Sequence, residues 1–132
     1  MKVALGIGCD RDTPLQTLED VIDLALNSVN LHRQSVQQLA TIDKKNDEQA
    51  LLQLAKKHQW PINFYTAEQL AQVQVPSPSA VVLKYMGTPS VSEAAAILSA
   101  NTDMNDLLVE KFKHRGADGK NATLSIVKIT QP

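Results

Sequence analysis

Val3-Ala4-Leu5-Gly6-Ile7-Gly8-Cys9-Asp10-Arg11-Asp12-Thr13-Pro14 is an apolar run that breaks into glycines and then into a helix-start signal. Val3 to Ile7 reads as a buried strand. The chain is expected to turn through Gly6 and Gly8 into a helix, with Thr13 as cap, Pro14 at the first helical position and Gln16 completing a capping box. Backbone N–H groups would then converge in front of the positive end of the helix dipole, which favours a carboxylate or a phosphate. A tight turn without a ligand fits the same residues. A dinucleotide loop or a P-loop does not, because no third glycine and no Gly-Lys-Ser/Thr follow.

Outward from this segment, Pro14 to Asn30 reads as a helix with Leu15, Leu18, Ile22, Ala25 and Val29 on one face. Val36 to Ile42 reads as a second strand, Asp47 to His58 as a second helix and Ile62 to Tyr65 as a short third strand. This βαβαβ order implies parallel pairing, with the first loop, the Asp43 to Asn46 loop and the Thr66 region side by side at the carboxyl ends of the strands. Three helix starts follow: Thr66 with Gln69, Ser77-Pro78, and Ser90 with Glu93. Gly87 can end the middle helix in a left-handed conformation. Leu107 to Lys113 and Ala122 to Ile129 alternate as the strands of an antiparallel hairpin, and Asn101 to Asp106 is the expected mobile loop. The reading is a three-layer α/β fold, a βαβαβ parallel core followed by short helices and a C-terminal hairpin in a mixed sheet.

The 132 residues, 43% of them hydrophobic, suit a single domain over 1–132 with a core that needs neither disulfide nor metal. A formal net charge of -1 argues against general nucleic-acid or membrane-surface binding, so a charged ligand must be met locally. One cysteine excludes an internal disulfide, and no apolar run has transmembrane or signal-peptide character, so a cytoplasmic protein is expected.

Candidate chemistry is sparse. Cys9 at a helix start could have a lowered thiol pKa, but with no evident His partner it reads as a small buried residue. His32 and His58 fall at or past helix ends and His114 in a loop, and no metal-ligand spacing occurs. Asp43 closes a strand at the expected ligand edge. Glu48 and Asp47 follow Asn46, whose capping box with Gln49 would explain them as first-turn acids. Glu93 is similarly explained by capping from Ser90. Lys111, Lys113, Arg115 and Lys120 form the basic cluster of the terminal hairpin, either as solvated lysines or as partners of an anionic ligand.

Several stretches together resemble the CobE/CbiG C-terminal domain family of cobalamin biosynthesis: Gly6-Ile7-Gly8-Cys9 with Arg11 and Thr13; Ala40-Thr41-Ile42-Asp43 with Lys45, Asp47 and Glu48; and Phe64 with Ala67-Glu68 and Leu70. Pro76-Ser77-Pro78-Ser79, Gly87 with Pro89-Ser90-Val91 and Glu93-Ala94-Ala95, and Leu107-Leu108-Val109 with Lys111 and Lys113 continue the match to the end of the chain. Asp10 stands at a usually basic position and Asp12 at a usual glycine. The resemblance implies an α/β domain acting on corrinoid intermediates, without further cofactor or metal of its own. Full-length CbiG opens the ring lactone of cobalt-precorrin-5A, whereas CobE corresponds to the stand-alone part.

The ligand expected from this resemblance is a precorrin-type corrinoid, a partly apolar ring bearing many carboxylates, met by scattered donors around an open cleft. Gly6, Gly8, Cys9, Arg11, Thr13, Lys45, Ser90, Lys111 and Lys113 are the expected binding residues. For lactone opening, Asp43 or Glu48 is the expected base and Glu93 the next candidate, with the Gly8 amides holding the oxyanion. A non-catalytic carrier that passes intermediates between other cobalamin-pathway enzymes remains an alternative, as does a domain that binds another anion.

Overall fold

The computed structural model describes residues 1–76 and 78–130. Five strands form one mixed sheet. β1 (Lys2–Cys9) lies at its centre, β2 (Val36–Ile42) and β3 (Ile62–Tyr65) extend it on one side, and β5 (Asn121–Ile129) and β4 (Leu107–Arg115) extend it on the other. The β1–β2 and β2–β3 pairs are parallel, and the β1–β5 and β4–β5 pairs are antiparallel. This is the expected three-layer α/β architecture.

The two faces of β1 explain its composition. Val3, Leu5 and Ile7 point into the larger core with Leu18, Val21 and Ile22 of α1 (Leu15–Ser28) and Leu51 and Leu54 of α2 (Gln49–His58). Ala4 and Gly6 alternate with them and face α5 (Ser92–Ala100), whose Ala94, Ala95 and Ala96 are fully buried. Small residues on both surfaces let the α5 backbone settle directly on the sheet. A Cβ on Gly6 would fall inside the van der Waals shell of the Ser92 carbonyl oxygen and lie 2.8 Å from the Ala96 nitrogen. Gly6 is therefore a close-approach position within the strand and not part of a bend.

The opening segment differs from its expected course. The strand continues through Gly8, paired with Thr123, and Cys9, paired with Ala122, because β5 supplies a partner for the whole run. The chain bends only at 10–13, where Asp12 takes a left-handed φ of 61°. Thr13 does not cap α1. Its hydroxyl donates to the Asp10 carbonyl at 2.7 Å, Pro14 occupies the cap position without a side-chain bond, and Gln16 bonds Asp20 instead. The Asn46 box is also absent, since residues 43–45 form a 3-10 turn ending at Asn46 and α2 starts two residues later than expected, at Gln49.

Of the later helix starts, the Thr66–Gln69 capping box opens α3 (Ala67–Ala71) in full. Ser77 lies outside the described residues, and α4 (Ala80–Met86) is capped by Ser79, whose hydroxyl accepts from the Val82 N–H at 3.2 Å. Gly87 ends α4 at φ 77°, as anticipated. Val91 holds the cap position of α5 without a side-chain bond. The 101–106 stretch is a bonded turn, with Asn101 left-handed, Asp103 accepting from the Asn105 N–H, and Thr102 bonded to Asp106. His114 lies on β4, not in a loop.

At the end of the molecule away from these loops, Glu19 of α1 is 8% exposed and is held by Arg33, Lys57 and His58 at 2.9, 2.6 and 2.8 Å. Trp60 stacks on His58 and lies under the Arg33 guanidinium. This cluster ties α1 to α2. Burial by itself pushes the Glu19 carboxyl up, but bonds from Lys57, His58 and Arg33 outweigh it and bring the pKa to about 2.

Candidate functional site

A cleft of about 280 Å³ opens where the carboxyl end of β1 meets the start of α5. Gly8, Cys9 and Asp10 form its edge on β1, Ser90, Val91 and Ser92 its base, and Lys111, Lys113, Asn121 and Thr123 its wall on the terminal hairpin. Lys45 enters from the 43–45 turn, and Val82 and Met86 of α4 add an apolar side. The lysines of the closing hairpin and the glycine-containing end of β1 thus share one concave surface. α4 buries none of its own residues and is attached by the Ser79 N–H donating to the Pro89 carbonyl and by Lys44 donating to the Met86 carbonyl.

Three lysines line this space among the described residues. Lys45 is only 9% exposed, and among the described residues no carboxylate lies within ion-pair distance of it. A buried alkyl stem with a charged head at a cleft is the usual arrangement for lysine at a partly apolar wall. Lys113 is exposed, and Lys111 lies 3.7 Å from Glu93. The one carboxylate on the cleft surface among the described residues, Asp10, accepts from the Asn121 backbone N–H at 2.8 Å and from its side-chain amide at 3.3 Å, so it fastens the end of β1 to β5. The positive end of the α5 dipole, with Val91 and Ser92 on the cleft surface, adds to the field of the lysines.

The base of the cleft is polar and dry. Thr88, Ser90, Ser92, Glu93 and Ser125 are each at most 3% exposed. Ser90 donates to Glu93 Oε1 at 3.0 Å, while Glu93 Oε2 is buried with no hydrogen-bond partner among the described residues. Burial raises the Glu93 carboxyl pKa, with Ser90 and Lys111 opposing that shift. Ser125 bonds the Ser92 hydroxyl at 2.9 Å and the Glu110 carbonyl, joining α5 to the hairpin.

Six expected binding residues therefore meet in the cleft: Gly8, Cys9, Lys45, Ser90, Lys111 and Lys113. Gly6, Arg11 and Thr13 do not line it. Gly6 is covered by α5, Thr13 is 2% exposed, and Arg11 points to Asp47 and Glu48, at 2.8 Å from each. The amide cradle expected at the first helix is filled from within. Glu48, 3% exposed, accepts from the Asp12 N–H at 3.2 Å and pairs with Arg11. Asp43 sits in the 43–45 turn outside the cleft wall. The Gly8 amide lies within the ladder with β5 rather than in a loop.

Burial raises the Cys9 thiol pKa more than nearby Lys45 lowers it, so a reactive thiolate is disfavoured. Among the described residues no group of three His, Cys, Asp or Glu side chains is gathered to hold a metal ion. No described helix is long and apolar enough to cross a membrane. A second, more open hollow of about 740 Å³ lies beside Arg33, His58 and Trp60. Its Arg33 is already committed to Glu19 and Asp23.

Sequence reasoning missed Val82, Met86, Asn121 and Thr123. Asn121 and Thr123 share a strand face by their period of two, a signal that was readable. The apolar residues of α4 were not assignable, because a short helix that buries nothing has no inward face to identify.

Residues 3–127 match the family model described as the cobalamin synthesis G C-terminus. The chain is 35% identical over 127 residues to a cobalt-precorrin-5A hydrolase of Priestia megaterium, covering 96% of this chain but 32% of that protein. It is 30% identical over 112 residues to protein CobE of a Sinorhizobium species, covering 83% of this chain and 72% of that one. The crystal structure of a CobE from the cobalamin (vitamin B12) biosynthetic pathway has the same fold, with a TM-score of 0.78 and 31% identity over 96% of this chain and 91% of that chain. The chain spans about a third of the length of the hydrolase it matches.

Proposed function

This chain belongs to the cobalamin synthesis G C-terminus family and has a role in cobalamin biosynthesis, and from that premise we propose that its cleft binds a corrinoid intermediate through the ring's peripheral carboxylates. The observation that carries this reading is the convergence of Lys45, Lys111 and Lys113 on a space with an apolar side of Val82 and Met86. A polyacid macrocycle needs both features: directed cations for its acetate and propionate groups, and apolar surface for the ring. A space of about 280 Å³ suits one edge of such a ring and not the whole, so the remainder would lie across α4.

The name of the Priestia relative supports a part in lactone opening. Hydrolysis of a lactone requires activated water, donors for the developing oxyanion and a proton for the leaving ring oxygen. None of the three carboxylates considered lines the cleft, but Glu93 contacts two residues that do, Ser90 at 3.0 Å and Lys111 at 3.7 Å. Glu93 is therefore the preferred candidate for the proton-handling group, as the acid that protonates the leaving ring oxygen, with the α5 N-terminus facing the oxyanion.

A second reading, a non-catalytic carrier of intermediates between pathway enzymes, is favoured by one observation: the only carboxylate on the cleft surface among the described residues is Asp10, already bonded to Asn121. Absorbance titration with dicyanocobyrinic acid, a corrinoid polycarboxylate, tests the binding reading. Replacing Lys45 and Lys113 together by Gln removes two charge-assisted contacts of about 1.5 kcal/mol each, so affinity should fall about 100-fold. Unchanged affinity would refute the site. Turnover of cobalt-precorrin-5A that survives Glu93→Gln would remove Glu93 from the chemistry, whereas binding without any turnover by the wild-type chain would leave the carrier.

A further inference from the structure

Glu93 is the least accommodated charge in the described structure. It is 0% exposed and has one hydroxyl donor, Ser90 at 3.0 Å, and one cation, Lys111 at 3.7 Å, both directed at the same oxygen, Oε1. The second oxygen is buried with no partner among the described residues. An ionised carboxylate in that position is stabilised by the Ser90 hydroxyl and by Lys111, and of these two Lys111 alone carries a compensating charge, because burial removes the water that would otherwise solvate it. The remaining charged neighbour, Glu110 of β4, acts in the opposite sense. From the other packed elements the groups near Glu93 are neutral: Ser125 on β5, and Thr88 and Ser90 before α5. Cys9, Lys45 and Lys113 complete the titratable groups around the cleft itself, together with the bonded Asp10.

Lys111 belongs to the cleft wall as well as to Glu93. We propose that the Glu93–Lys111 pair couples ligand binding to protonation: when a carboxylate of the ligand engages Lys111 Nζ, Glu93 takes up one proton from solvent. The ammonium cannot fully compensate two carboxylates at once, and of the two the dry one is the weaker competitor. The proton adds to a Glu93 oxygen, the ligand carboxylate keeps its charge, and no other bond changes. The cleft then binds its polyacid more tightly toward lower pH, and the proton taken up stands beside the bound ring. This inference rests on the corrinoid-binding reading.

Calorimetric titration of the full chain with dicyanocobyrinic acid, in buffers of different ionisation enthalpy between about pH 6 and pH 8, counts the protons taken up per ligand bound. Wild type should take up about one proton more than Glu93→Gln at the same pH. Lys111→Met should also lose this proton, because without the cation Glu93 is already neutral before the ligand arrives. The infrared difference spectrum of wild type on binding should gain a protonated-carboxyl band. Equal proton counts in wild type and both variants, or no such band, would overturn the coupling while leaving the corrinoid reading intact. Absence of any binding by wild type would overturn the corrinoid reading and the coupling with it.

Discussion

Two glycines two residues apart on β1 should respond in opposite ways to the same added methyl group. In Gly6→Ala the new Cβ meets the Ser92 carbonyl oxygen, the Ala96 nitrogen at 2.8 Å and the Ala96 Cβ at 2.9 Å, so α5 must lift from the sheet. Backbone atoms cannot rotate aside as a side chain can, which places the cost at the upper end of overpacking, about 3 kcal/mol, or roughly 10 °C in Tm for a chain of this size. In Gly8→Ala the nearest atom is Val91 Cγ1 at 3.8 Å, an ordinary contact, and the strand backbone suits alanine. Its stability should equal wild type or exceed it by about 0.5 kcal/mol, since alanine restricts the unfolded chain. The assay is urea and thermal unfolding of both variants, with corrinoid titration alongside. Gly8→Ala should fold normally but bind more weakly, because its methyl lies on the cleft edge. Gly6→Ala within 0.5 kcal/mol of wild type would refute the direct seating of α5 on the sheet.

Glu19→Gln should cost about 3 kcal/mol near neutral pH, from a carboxyl lowered to about 2 in a mostly buried site. Because the folded-state pKa is depressed, this stabilisation is fully present above about pH 4.5 and is lost as pH falls toward 2, so the unfolding curves of wild type and variant should converge in acid; a pH-independent gap would contradict the ion-pair origin. Asp12→Gly should stabilise the fold by about 0.5 kcal/mol in urea titration, since φ 61° suits glycine and the amide bond to Glu48 is retained; a loss above about 1 kcal/mol would assign the Asp12 side chain a structural role. Cys9 should react with iodoacetamide with a midpoint above that of a small free thiol, and Lys45→Gln should raise it further; a lowered midpoint would restore Cys9 as a reactive group.

The architecture was legible because β1, α1, β2 and α2 carry hydrophobic periods that point to one sheet, and the Asp118-Gly119 turn marks the hairpin. Helix starts were less legible where a nearby group outcompeted the local cap. Thr13 prefers the Asp10 carbonyl, and Glu48, far from Asp12 in sequence, fills the amide cradle that a local reading leaves to a ligand. The Gly6 and Gly8 pattern indicated close backbone approach or a bend equally well; only the position of α5 and the partner strand β5 decide between them. The lysines were visible as a cluster, but their meeting with Ser90 and Cys9 depends on the hairpin returning beside β1.

Amide chemical-shift mapping of the isotopically labelled chain with dicyanocobyrinic acid tests the location of the binding site most directly. Shifts concentrated at Cys9, Lys45, Ser90 to Glu93, Lys111 and Thr123, and reduced when Lys45 and Lys113 are replaced by Gln, are the predicted result. Shifts clustered instead around Arg33, His58 and Trp60, or absent at saturating ligand, would contradict a corrinoid site at the meeting of β1, α5 and the hairpin.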